Sequence, residues 1–306
     1  MGEAKYRMVA IDLDGTLLAP DGKVTERTTR AIHQCLSAGI LICFATGRNF
    51  TESREALDTV AHYDHAVFAG GAIVIDTKQE VILHRQMVDP QLAREVCKLL
   101  EEAGHAVLAL QETGAAGVDY LVSEEVDVNA ETLHWMSVTS ASVHHVSRLS
   151  EYGHEHTLRL GIVAEPAEVA RVEAQLQQQF GERILCQRLF VPSAGVEVLE
   201  IFDPGVNKWE GIQHVAARHG VRPAEIIAVG DDVNDLPMLR QAGLGVAMGN
   251  ARPEVQAAAK RVIGSNRDDG LAQFLEELVA RHAVEPIEDA ASAPGQAEHN
   301  AGDAAA

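Results

Sequence analysis

Two hydrophobic rhythms alternate along the chain. Short apolar runs at 8–11, 40–45, 66–69, 226–229, 245–247 and 261–263 read as strands. Where alternation disappears, as at 8–11 and 40–45, both faces of a strand are covered, as in a parallel sheet. Helical stretches lie between them at 25–37, 51–61, 207–219, 236–241, 254–258 and 271–281. Thr25 is placed to cap the first of these, and Gly39 to close it. Segments 72–76 and 81–86 read as a hairpin. The pattern predicts a doubly wound, mostly parallel α/β core.

The middle of the chain reads differently. Asp89-Pro90 opens a helix whose apolar face is Leu92, Val96, Leu99, Leu100 and Ala103. Strands follow at 105–110, 119–123, 157–164, 184–191 and 196–202, with a second helix at 166–180. Runs of strands with two helices on one face predict an inserted α+β unit with an antiparallel sheet. Segment 126–152 shows no legible pattern. The expected organisation is a discontinuous core of 1–86 and 201–282, an insert of 87–200, and a disordered tail of 283–306.

That tail changes how the net charge of −20 is read, because it holds five acids and no Lys or Arg. About −15 remains on the rest, enough to disfavour nucleic acid and anionic membranes as partners. An anionic ligand would have to be held by a local arrangement. Cys35, Cys43, Cys97 and Cys186 are scattered without a CxxC pair and read as free thiols, which suits a cytoplasmic protein. The N-terminus leaves no room for a signal peptide, and no apolar stretch is long enough to span a membrane.

Four polar clusters fall where the predicted core strands end or helices begin. They are Asp12-Leu13-Asp14-Gly15-Thr16, Thr46-Gly47-Arg48, Lys208, and Gly230-Asp231-Asp232-Val233-Asn234-Asp235. In open α/β sheets, ligands bind beyond the carboxyl ends of the strands. A carboxylate pair there can act as nucleophile, metal ligand or general acid/base. Each cluster alone has a bland reading: a turn cap, a turn, a surface lysine, a calcium loop. Their co-occurrence at one sheet edge favours chemistry. The pairs His144-His145 and His154/His156 are weak metal candidates, lacking acid or thiol partners.

With these four clusters in order, the chain resembles the haloacid dehalogenase-like superfamily. Within it, residues 6–281 resemble the Cof-type phosphatases with a Rossmann-like core and an inserted α+β cap of the C2 type. The resemblance implies a Mg²⁺-dependent phosphatase for small phosphorylated metabolites, sugar phosphates foremost. Asp12 would be the nucleophile that becomes an aspartyl-phosphate, and Asp14 the acid and base. Mg²⁺ would meet Asp12, the Asp14 carbonyl and Asp231. Thr46, Gly47, Lys208 and Asn234 would hold phosphate, and Asp235 would orient metal-bound waters or Lys208 from behind. A monomer or homodimer is expected. A phosphomutase and a catalytically silent metabolite-binding protein are the alternatives. The chain departs from the subgroup at Gly70, where Asn is usual, at Asp232, where Gly is usual, and at Trp209, where a small residue is common.

Overall fold

The computed structural model describes residues 6–62, 64–191 and 195–284. The tail predicted to be disordered falls almost wholly outside them. In chain order the strands are β1 (Met8–Ile11), β2 (Leu41–Phe44), β3 (His65–Phe68), β4 (Ile73–Asp76), β5 (Val81–Arg85), β6 (Leu108–Gln111) and β7 (Tyr120–Ser123). They continue as β8 (Val143–Val146), β9 (Thr157–Ala164), β10 (Leu185–Val191), β11 (Val196–Phe202), β12 (Ile226–Gly230), β13 (Leu244–Ala247) and β14 (Arg261–Val262). The core sheet runs β14-β13-β12-β1-β2 and is parallel throughout. Its strands come from both sides of the segment that builds the six-stranded sheet β10-β11-β9-β6-β7-β8.

Local signals account for most element boundaries. The Thr25 side chain accepts the Thr28 N–H and starts the helix Glu26–Ser37. Asn49 and Glu52 form a reciprocal capping box at the helix Phe50–Thr59. Asp89 accepts the Leu92 N–H, with Pro90 in the first turn, to start Pro90–Glu102.

The β3 strand belongs to two pairings at once, and the inserted sheet departs from expectation. Segment 66–69 continues the parallel run through a parallel bridge from Ala45 to Val67, and β3 also pairs antiparallel with β4, in a small sheet β3-β4-β5. The bonds Thr46 N–H to Val67 C=O (2.9 Å), Ala69 N–H to Arg48 C=O (2.8 Å) and Gly70 N–H to Thr46 C=O (2.9 Å) tie it to the end of β2. The short link to β4 through Gly70 and Gly71, both at positive φ, returns the chain as a hairpin, leaving no length for a crossover. The inserted sheet is antiparallel except at β7 and β8, which run parallel. The unpatterned segment supplies this exception: helix Ala130–Val138 carries the chain across before β8. That helix is largely solvent-facing, which explains its illegibility.

The six-stranded sheet is covered on both faces. Helices Pro90–Glu102 and Pro166–Phe180 bury Val96, Leu100, Val172 and Leu176 against one of them. From the other face Leu110, Tyr120, Val122 and Leu158 join the hydrophobic cluster of the core sheet. All four cysteines are free, and Cys35, Cys43 and Cys97 are buried.

One buried group makes stability depend on acid. His62 packs edge-on against Phe44, centroids 4.8 Å apart, and burial lowers its pKa to about 4. The unfolded chain takes up a proton near 6.5 that the folded chain refuses until about 4. Stability from this group is therefore full above pH 6.5 and is lost as pH falls toward 4, by up to about 3 kcal/mol. Urea denaturation across that range should show His62→Leu losing less stability than the parent; equal losses would contradict this origin.

Candidate active site

Strand register assembles the site. Ile11 pairs with Phe44 on one side and Val229 on the other. The residues that follow, Asp12, Thr46 and Asp231, are thereby brought to one edge. The backbone bonds Asp12 N–H to Val229 C=O (3.0 Å) and Ala45 N–H to Ile11 C=O (2.9 Å) hold this alignment. After Asp12 the chain turns back through Gly15 at φ +77°. A Cβ at Gly15 would lie 2.1 Å from Asp231 Oδ2, so only glycine permits this approach.

Lys208 enters from the start of helix Lys208–Arg218, capped by Asn207. Its ammonium is buried and donates to Asp12 Oδ1 and Asp235 Oδ1, both at 2.6 Å, and to Asn234 Oδ1 at 3.4 Å. Burial opposes its charge, but Asp12 and Asp235 overcome this and raise its pKa. The other oxygen of Asp235 accepts the backbone N–H groups of Asp231 (2.8 Å) and Asp232 (3.1 Å). Asp235 thus orients both Lys208 and the loop carrying Asp231.

The carboxylates outnumber the cation. Asp12, Asp231 and Asp235 present oxygens within 4.8 Å of one another. Burial pushes the Asp12 carboxyl up; Lys208 pulls it down, while Asp235, Asp231 and Asp14 add to the rise. Asp231 is pushed up to about 7 by burial and by Asp235 and Asp232. This surplus of negative charge, offered by oxygens alone, fits a hard divalent cation. Asp235 is fully buried and does not line the cavity, whereas Asp12 and Asp231 do, so these two are the side chains suited to hold it. Thr16 Oγ1 (3.2 Å) and Asn250 Nδ2 (3.3 Å) donate to Asp231 and fix its orientation. Asn250 also donates to the Gly15 carbonyl at 2.8 Å.

The remaining expected residues divide. Asp14, Gly47 and Asn234 line the cavity at this edge, together with Asp12 and Asp231. Thr46 is buried behind it, its hydroxyl accepting the Arg48 N–H at 3.1 Å. Asp14 is held by Arg48, with Nε to Oδ2 at 2.8 Å and Nη2 to Oδ1 at 2.5 Å. Arg48 thus finds its partner in the expected acid/base. Asp232 pairs with Arg252 (2.9 Å) and caps Val233 (2.7 Å). Gly70 adopts φ +65°, and Phe202 lies 3.2 Å from where its Cβ would stand, so a side chain there would be strained. Trp209 is buried in the core cluster.

Several contributors were not foreseen. The cavity, about 620 Å³, extends from the carboxylates to an apolar end with Leu108, Trp135, Val138, Val163 and Val198. Trp135 meets Tyr120 edge-on at 4.9 Å. Arg159 is paired with Glu200, and donates to the Tyr120 hydroxyl (2.9 Å) and the Gly47 carbonyl (3.0 Å), joining the six-stranded sheet to the loop after β2. Charged residues within the apolar runs 157–164 (Arg159) and 196–202 (Glu197 and Glu200) were the available signal. His154 is no ligand candidate: it is buried, bonded to Thr157 Oγ1 (2.9 Å) and the Leu149 carbonyl (2.7 Å).

Comparison with known proteins decides the family. The model of the haloacid dehalogenase-like hydrolases matches residues 9–275. The chain belongs to that family. A Bacillus subtilis relative, 5-amino-6-(5-phospho-D-ribitylamino)uracil phosphatase YitU, is 30% identical over 90% of this chain and 98% of its own. The HMP-PP phosphatase of Enterobacter is 27% identical over 88% of this chain and 94% of its own. A solved haloacid dehalogenase-like hydrolase from Bacteroides thetaiotaomicron shares the fold at TM-score 0.76 and 21% identity, covering 90% of this chain and all of that one. Haloacid dehalogenase-like hydrolases generally use a divalent metal, in keeping with the carboxylate surplus here. Among the described residues, no helix is long and apolar enough to cross a membrane.

Removing the cation tests the electrostatics. Lys208→Met leaves Asp12 and Asp235 buried without a counter-charge, which should cost on the order of 3–5 kcal/mol. Urea denaturation in chelator measures it; a loss below about 1 kcal/mol would contradict the balance described.

Proposed function

We propose that this haloacid dehalogenase-like phosphatase is a Mg²⁺-dependent hydrolase of small phosphate monoesters and that Asp12 is its nucleophile. The observation that carries the reading is Asp12 itself, at the end of β1, lining the cavity with Oδ1 tied to Lys208. That bond leaves Oδ2 to attack phosphorus, forming an aspartyl-phosphate and releasing the alcohol. Lys208 holds Asp12 in place and offsets charge as the phosphoryl group arrives. Mg²⁺, held by Asp12, Asp231 and the Asp14 carbonyl, would neutralise phosphate oxygens. Gly47 and Asn234 face the phosphate from the cavity wall, while Thr46 shapes the Gly47 loop from behind.

Asp14 protonates the leaving oxygen and then takes a proton from the water that hydrolyses the intermediate. To do so it must part from Arg48. An incoming phosphate dianion competes for that guanidinium and so frees Asp14 as substrate binds. Segment 87–200 acts as a cap whose sheet closes the cavity and excludes water.

The apolar end narrows the substrate. A bare sugar phosphate would leave Trp135, Leu108 and Val163 facing hydroxyls, whereas a flat ring would bury against them. The YitU name supports this choice, since it describes a phosphorylated ribityl chain on a uracil. We therefore favour a phosphorylated chain bearing a planar heterocycle over a simple sugar phosphate.

Asp12→Asn should lower kcat by at least about 10⁴-fold with unchanged circular dichroism, and excess chelator should stop the parent enzyme. Normal turnover in either case would sink the mechanism. Trp135→Ala should reduce kcat/KM about tenfold for a ring-bearing phosphate and hardly at all for a pentitol phosphate. Equal losses on both would restore the sugar phosphate reading.

A further inference from the structure

A second group of metal-ligating side chains stands at the opposite end of elements that serve the carboxylate site. Strand β3 leads to Gly70, whose N–H donates to the Thr46 carbonyl (2.9 Å), and helix Lys208–Arg218 begins with Lys208. At the far end of each lie His65, with Asp64 just before it, and His219, the residue that ends the helix. His65 Nδ1 is 3.0 Å from His219 Nε2 and 3.3 Å from Asp64 Oδ1, and His219 Nε2 is 3.8 Å from the same oxygen.

These separations are those of ligands around one ion. Three donors at about 2.0–2.2 Å from a tetrahedral centre lie about 3.3–3.6 Å apart. The triangle found here brackets that value, so closing on a metal needs movements of a few tenths of an ångström. Two imidazoles and a carboxylate are a donor set for zinc and its neighbours, unlike the all-oxygen set at Asp12 and Asp231. The rest of the surroundings agrees. His65 Nε2 faces Asp76 Oδ2 at 3.9 Å, so a small approach would let this carboxylate accept the Nε2–H hydrogen bond once Nδ1 binds metal. The Asp64 carboxylate is fixed by the His65 backbone N–H at 2.7 Å. The side chains are 17%, 26% and 44% exposed for His65, His219 and Asp64, which leaves an entry path and room for water as a fourth ligand.

We propose that Asp64, His65 and His219 form a second metal site, for Zn²⁺ or an ion of similar preference. The ion joins residues 154 positions apart in the chain and staples the start of β3 to the end of the helix that carries Lys208. Metal bound only to the folded protein stabilises it by mass action. The proposal is independent of the substrate and mechanism given above.

The test titrates the full chain with Zn²⁺ against a chromophoric chelator, with excess Mg²⁺ present to occupy the carboxylate site. The parent should bind one equivalent and gain thermal stability from it. His219→Ala and Asp64→Asn should each weaken binding at least about 30-fold and lose that gain. Their Mg²⁺-supported turnover should match the parent without Zn²⁺, which reports intact folding. Should His219→Ala fail to fold, the exposed Asp64 carries the test. His84→Gln is the control, because His84 stacks on His214 at 3.7 Å and offers a rival histidine pair. No bound equivalent in the parent, or loss in His84→Gln with binding intact in the other two, would overturn the proposal.

Discussion

A single buried ammonium shared by two carboxylates holds this site together. Lys208 touches Asp12, which follows β1, and Asp235 from the loop after β12 at the same distance, 2.6 Å. Asp235 in turn secures the backbone of Asp231 and Asp232. Three segments far apart in sequence are thus locked through one side chain. Such a cluster is a poor source of stability, since desolvating its charges consumes most of the attraction. What it contributes is placement: Asp12 is held with one oxygen committed and the other available.

The surroundings serve the same arrangement. Parallel register aligns Asp12, Thr46 and Asp231 without any special sequence beyond the strands themselves. Gly15 removes the Cβ that would collide with Asp231, and Thr16 and Asn250 hold that carboxylate from its two oxygens. The charge left over after Lys208 is counted is what makes the edge receptive to a divalent cation. Across the cavity, the six-stranded sheet brings an apolar wall and the Arg159–Glu200 pair. The carboxylate edge and the apolar end of the cavity therefore come from different parts of the chain, joined where Arg159 meets the Gly47 carbonyl.

Much of this was readable from residue order. Strands β9 and β11 and the helices at 166–180 and 236–241 fall where periodicity placed them, because both the apolar pattern and the end signals are local. Asp12, Lys208, Asp231 and Asp235 were drawn together by their positions at strand ends and a helix start. The pairing of Asp14 with Arg48 was not legible, since a strand-end arginine has no local signal for its partner. The antiparallel pairing of β3 with β4 was not legible, because a run of four apolar residues fits either kind of sheet. Trp135 and Val138 were hidden in a segment whose helix has no continuous buried face, while Leu108, Val163 and Val198 sit on predicted strands but had no signal for lining a cavity. Asp64, His65 and His219 could not be joined from sequence at all, because only the fold brings them within reach of one another.

The most direct test of the central claim is to look for the phosphoryl group on the protein. A single turnover with a reactive phosphate monoester, quenched in acid within milliseconds and mapped by peptide mass spectrometry, should place one phosphoryl group on Asp12. Phosphorylation at another residue, or product release with no phosphorylated protein at any quench time, would contradict the account.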